Sequence, residues 1–243
     1  MTTTRREFLL ASAATAAGAT LHRHAIDAID APVAGGTILF QGDSITDCGR
    51  NRKSVAANDP GALGTGYPLL LTSRLREKYP ERDLQLFNRG VSGNVVPDLA
   101  ARWQVDTLDL KPAILSILIG VNDVWHTIGK MPAADVVNRY ERGYAALLDQ
   151  THRALPQVKI VVLEPFALRT GAVTDAWFPE FDQLRAACRR VADHAGARFV
   201  PLHDMLQHRA AKTGAAYWAS DGVHPTTAGH EAIADAWAAA VKL

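Results

Sequence analysis

Thr37-Ile38-Leu39-Phe40-Gln41-Gly42-Asp43-Ser44-Ile45-Thr46-Asp47 is the stretch that decides the fold. Its first five residues, Thr37–Gln41, are the first candidate strand, while the runs Ile114–Ile119 and Lys159–Leu163 further on are nearly continuous in apolar character, as expected of strands covered on both faces. The Gly-Asp-Ser after Gln41 reads as a tight turn at the first strand's carboxyl end. Similar units recur along the chain. Apolar runs at Leu84–Asn88, Ala113–Ile119, Lys159–Leu163 and Arg198–Pro201 alternate with amphipathic segments near Pro68–Lys78, Val95–Leu108, Ala133–Ala154, Phe178–Ala195, Leu202–Lys212 and Thr226–Val241, the last capped by Thr226 or Thr227. Strands joined by crossover helices predict one three-layer α/β domain on a parallel, five-stranded sheet, spanning residues 37–243.

Composition supports a globular chain and narrows its partners. Of 243 residues, 48% are hydrophobic and 21% charged, enough apolar surface to offset the entropy of ordering. Lys and Arg number 26 against 25 Asp and Glu, and no basic run exceeds two residues, so the electrostatic footprint of a nucleic-acid binder is missing. Two cysteines, Cys48 and Cys188, permit one disulfide at most and no four-cysteine zinc site; two free thiols are the expectation.

The first nineteen residues read as an address. Arg5-Arg6 precedes Phe8-Leu9 and a short Ala-rich apolar stretch ending in Ala17-Gly18-Ala19. This layout resembles a bacterial twin-arginine signal peptide, with a linker over residues 20–36 after it. Cleavage after Ala19 would leave about 224 residues exported to the periplasm or the medium. No second apolar run reaches the ~18–20 residues of a membrane helix, so a mature form free of the bilayer is expected.

Open α/β sheets place their chemistry in loops at the carboxyl ends of strands. Four such loops are informative: Gly42-Asp43-Ser44-Ile45, Gly90-Val91-Ser92-Gly93-Asn94, Gly120-Val121-Asn122-Asp123 and Asp221-Gly222-Val223-His224-Pro225. A serine hydroxyl needs a neighbouring base to act as a nucleophile, and His224 can supply one. Asp221, three residues earlier, can reach the other imidazole nitrogen. Gly93 N–H, the Asn122 amide and Ser44 N–H are candidate donors to an oxyanion. Singly, each element has a plain reading as a turn, a cap, a surface histidine or a positive-φ glycine. Together they are the full set that acyl transfer requires.

The four blocks resemble those of the SGNH/GDSL hydrolases, with Ile45 in place of the usual leucine, and the match runs from Thr37 to Val241. The resemblance implies a flavodoxin-like sheet, Ser44 as nucleophile, His224 as general base, Asp221 as its orienting acid and Ser44, Gly93 and Asn122 as the oxyanion hole. It implies neither cofactor nor metal. Longer stretches, Gly42–Arg50, Gly61–Tyr67 and Ile119–Trp125, resemble the acetylxylan esterase branch, which removes O-acetyl groups from xylan or xylo-oligosaccharides. The partner is then an acetylated carbohydrate. Trp125 and Trp218 stand where an aromatic face could stack on a sugar, or could simply pack into the core; Asp43 is a third candidate near the substrate, or a residue that shapes the turn. Alternatives are a lysophospholipase or thioesterase on the same scaffold and a non-catalytic carbohydrate-binding module. A homo-oligomer is compatible with any of these.

Overall fold

The computed structural model describes residues 34–242. The export signal over residues 1–19 and most of the linker over residues 20–36 lie outside the described residues. Five parallel strands, β1 (Thr37–Gly42), β2 (Gln85–Asn88), β3 (Ile114–Leu118), β4 (Lys159–Leu163) and β5 (Arg198–Val200), lie in the order β2-β1-β3-β4-β5. Nine α-helices connect and cover them among the described residues: α1 (Ser44–Asp47), α2 (Pro60–Leu63), α3 (Tyr67–Lys78), α4 (Val96–Trp103), α5 (Val121–Trp125), α6 (Ala133–Ala154), α7 (Glu180–His194), α8 (Leu202–Thr213) and α9 (Thr227–Val241).

Side chains alternate across a strand, and β1 shows which helices take which face. Phe40 packs against Tyr67 of α3 and Trp237 of α9, at ring-centroid distances of 5.7 and 5.9 Å. Its register partner on the central strand, Ser116, accepts the Trp237 indole N–H at 3.0 Å. Gln41 turns the other way and donates to Thr107 Oγ1 at 2.8 Å and to the Asp106 carbonyl at 2.9 Å, just beyond α4. Helices α4, α6 and α7 pack together, while α3, α8 and α9 form a second group. The central strands β1, β3 and β4 are almost wholly buried, the edge strands β2 and β5 less so, and each fully buried Leu, Ile or Phe side chain contributes about 1.5–3 kcal/mol.

The five expected strands are all present: β4 has the expected bounds, and the others shift by one residue at one end or, in β3, at both. Pro201 has no N–H to give the sheet and instead precedes α8. The helix expected over Val95–Leu108 is α-helical only to Trp103; Gln104–Leu108 forms a π turn, closed by Asp109 N–H on the Gln104 carbonyl at 2.9 Å. Gln41 grips this widened turn, so a contact from β1 accompanies the departure from regular helix. Thr226 caps α9, its hydroxyl accepting Gly229 N–H at 3.3 Å. Cys48 and Cys188 are both free. No helix among the described residues is long and apolar enough to cross a membrane.

Candidate active site

Strand β1 delivers Ser44 through a turn that only glycine permits. Gly42 has φ +154°, and a Cβ there would stand 2.2 Å from the Leu118 carbonyl oxygen of the neighbouring strand. Asp43 then caps α1, its Oδ1 accepting Ile45 N–H at 3.0 Å. Ser44 becomes the first residue of a single helical turn, half-buried at the rim of the sheet. Asp43 itself is 1% exposed, and burial pushes its carboxyl up to about 7. It shapes the turn as the cap of α1, with almost none of its surface open to solvent.

Ser44 Oγ lies 2.8 Å from His224 Nε2, and His224 Nδ1 lies 2.6 Å from Asp221 Oδ2. The other oxygen of Asp221 accepts two backbone N–H groups, Val223 at 2.9 Å and His224 at 2.7 Å. Burial works to raise this carboxyl, but the bonds from the His224 ring and from the two amides outweigh it and hold it below the ordinary aspartate value. An ionised Asp221 only accepts, so Nδ1 carries the imidazole hydrogen and Nε2 turns its lone pair to the serine hydroxyl. The loop after β4 pins this arrangement: Leu168 N–H binds the Gly222 carbonyl at 2.8 Å and Ala172 N–H the Asp221 carbonyl at 2.9 Å.

The candidate oxyanion donors Gly93 and Asn122 lie in the next two blocks. Gly93 is exposed at φ +84°, a conformation that favours glycine, in a loop held to the serine segment by Val91 N–H on the Gly42 carbonyl at 3.0 Å. Asn122, in the first turn of α5 and 4% exposed, is oriented by its Nδ2 donating to the Asn94 carbonyl at 3.1 Å. Asp47, buried at the end of α1, ties the blocks together: its Oδ2 accepts Ser92 N–H at 2.9 Å and Arg52 Nε at 3.0 Å, and its Oδ1 accepts Arg50 N–H at 3.2 Å.

Of the two tryptophans, Trp125 meets the site, its ring centroid 6.0 Å from that of His224. Trp218 is engaged elsewhere: its indole N–H donates to Thr213 Oγ1 at 2.8 Å and the Arg209 guanidinium stands 5.3 Å from its ring. Trp177, which carries no motif, fills the place beside Trp125 at 5.6 Å. A second histidine, His230 of α9, lies behind the serine loop; its Nδ1 accepts Tyr67 N–H at 3.2 Å and its Nε2 is 3.3 Å from Cys48 Sγ. Burial, with the nearby His224 adding to it, lowers His230 to about 4 and keeps it neutral. A cavity of about 360 Å³ opens at Ser44, lined also by Asp47, Cys48, Arg50, Arg52 and Ser92. Among the described residues, no group of three or more His, Cys, Asp or Glu side chains could hold a metal ion.

Residues 40–232 match the model of the GDSL-like lipase/acylhydrolase family. An acetylxylan esterase of Geobacillus stearothermophilus is 37% identical over 207 residues, covering 84% of this chain and 92% of that protein. A crystal structure of an acetylxylan esterase from the same organism superposes with a TM-score of 0.76 at 34% identity, over 88% of this chain and 97% of the other. A GDSL-like lipase candidate from Parabacteroides merdae gives 0.82 at 41% identity, over 87% and 97%. With the family model covering most of its length and an esterase aligned along nearly the same span, this chain belongs to the GDSL-like lipase/acylhydrolase family and is a carboxylic ester hydrolase.

Proposed function

We propose that this esterase removes O-acetyl groups from carbohydrates, xylan or xylo-oligosaccharides foremost, through an acetyl-enzyme on Ser44. The observation that carries the reading is the continuous hydrogen-bonded run Ser44–His224–Asp221, whose serine lines a cavity, in a chain 37% identical to an acetylxylan esterase. His224 Nε2 takes the hydroxyl proton as Ser44 Oγ attacks the acetyl carbonyl, and Asp221 stabilises the imidazolium that forms. Ser44 N–H, Gly93 N–H and Asn122 Nδ2 receive the negative charge that develops on the carbonyl oxygen. His224 then protonates the departing sugar oxygen, and water repeats the cycle on the acetyl-enzyme. Trp125 beside the histidine offers a sugar ring a flat apolar face.

Asn122→Ala is expected to lower kcat for an aryl acetate by about 10²–10³-fold, since it removes one preorganised donor to the oxyanion. A loss of less than about fivefold in steady-state assays would remove Asn122 from that role.

Acyl-chain profiling tests the substrate class. Aryl acetate is expected to exceed aryl octanoate in kcat/KM by about 100-fold or more, because each added methylene must find room beside polar side chains. Acetate release from acetylated xylo-oligosaccharides should accompany it. A profile peaking at eight carbons or longer would favour a lysophospholipase or thioesterase instead.

A further inference from the structure

The cavity at Ser44 is lined by a guanidinium whose outward edge has no hydrogen-bond partner among the described residues. After α1, Cys48 at φ 39° turns the chain, and Gly49, Arg50 and Arg52 beyond it line the cavity. Arg52 lays its Nε and Nη2 on one oxygen of the buried Asp47, the same oxygen that holds Ser92 N–H. Its side chain is 49% exposed and lines the cavity, and Nη1 makes no hydrogen bond to the described residues. The planar fork thus presents one hydrogen each from Nη1 and Nη2, side by side and fixed in direction by the carboxylate behind them.

We propose that this edge of Arg52 is the sugar-binding edge of the site, donating to neighbouring hydroxyl oxygens of the ring that carries the acetyl group. The inference rests on the acetyl-carbohydrate reading above. Three features select hydroxyls over other ligands. An acyl chain placed here would cover the two N–H donors without pairing them. Asp47 already balances the Arg52 charge, so the edge suits an uncharged acceptor. Arg50, the other cation of the lining, is buried with its Nε spent on the Gly90 carbonyl at 2.7 Å. Two donors held in parallel match the paired oxygens of a vicinal diol, which every unsubstituted stretch of a pyranose displays. Arg52 acts as a specificity residue on the part of the substrate that is not acetyl.

The test compares kcat/KM of the wild type, Arg52→Met and Arg52→Lys on two esters, an acetylated xylo-oligosaccharide and an aryl acetate that has no sugar. In Arg52→Met the ratio of sugar ester to aryl ester is expected to fall by about tenfold or more, mostly through KM for the sugar, and Arg52→Lys to recover part of it. If Arg52 only braces Asp47 and the Ser92 loop, both esters lose together through kcat and the ratio stays level, which overturns the inference. A wild-type KM that rises steeply with salt and favours sugars bearing a carboxylate would also overturn it, by pointing to an anion at this edge. If the wild type releases acetate from no acetylated sugar, the substrate reading itself fails, and the inference goes with it.

Discussion

Ser44→Ala is expected to lower kcat for aryl acetate by about 10⁴–10⁶-fold, with a melting temperature within a few degrees of the wild type. The rate loss is chemical in origin: without Oγ there is no acetyl-enzyme, and only the oxyanion donors and binding remain to favour hydrolysis by water. The small stability change comes from the position. Ser44 is half-buried, and its hydroxyl bonds to a ring that is itself 44% exposed, so truncation strands no buried polar group. The cap of α1 belongs to Asp43 and stays in place, and Cys48 N–H still closes the turn on the Ser44 carbonyl at 2.9 Å. An organophosphate should add once to the wild type and not to the variant, read by intact mass. Near-normal turnover in Ser44→Ala, or an adduct mapped to another residue, would end the assignment of Ser44 and leave the fold untouched.

Strands were the readable part of this molecule: β3 and β4, buried on both faces, carry nearly unbroken apolar runs, and the edge strands β2 and β5 show shorter apolar runs bounded by polar residues. The long helices α6 and α7 were readable for the complementary reason, a 3.6-residue pattern sustained over fifteen residues or more, and α9, apolar over most of its surface, by its threonine cap. Helices α1 and α5 were not, since four or five residues show no period. They exist because Gly42 and Gly120 turn the chain at positive φ and because, in α1, Asp43 caps the first turn. Those are properties of the chain's path in three dimensions.

The site divides in the same way. Ser44, Asn122 and the Asp221–His224 pair could be singled out because each lies just after an apolar run or just before a helix, in a polar cluster that a core has no use for. Their partners are harder to see. Asp47 looks like one more turn residue, yet it holds Arg50, Arg52 and the Ser92 amide at once. By residue type alone, Trp177 and Trp218 are equally plausible neighbours of Trp125. The path of the loop after β4 gives the place to Trp177, whereas Thr213 and Arg209 take up Trp218. Loop conformation rather than residue type decides such contacts, and it leaves no periodic trace.

Asp221→Asn is the sharper probe of how this site holds its proton. The replacement is nearly isosteric, and two backbone amides, Val223 N–H and His224 N–H, both point at the oxygen now called Oδ1. The asparagine carbonyl must take that position, because the alternative turns its NH₂ toward two donors. The NH₂ is then forced to face His224 Nδ1, where the wild type has an acceptor at 2.6 Å. A donor there requires Nδ1 to be bare, which moves the imidazole hydrogen to Nε2 and places it against the Ser44 hydroxyl. The base can no longer accept the serine proton without first changing tautomer and losing a hydrogen bond. The expected result is a fall in kcat of about 10⁴-fold, comparable to losing the acid outright, although geometry and melting temperature barely move. Asp221→Ala separates the two effects: it removes the orienting acceptor without imposing the wrong tautomer, and it strands both backbone amides, so it should cost about 1–3 kcal/mol of stability that Asp221→Asn retains. Proton NMR of the wild type should show a strongly downfield Nδ1–H resonance from His224 that Asp221→Asn lacks. A variant that keeps that resonance, or retains more than about a tenth of wild-type kcat, would mean that the 2.6 Å contact does not set the tautomer in solution.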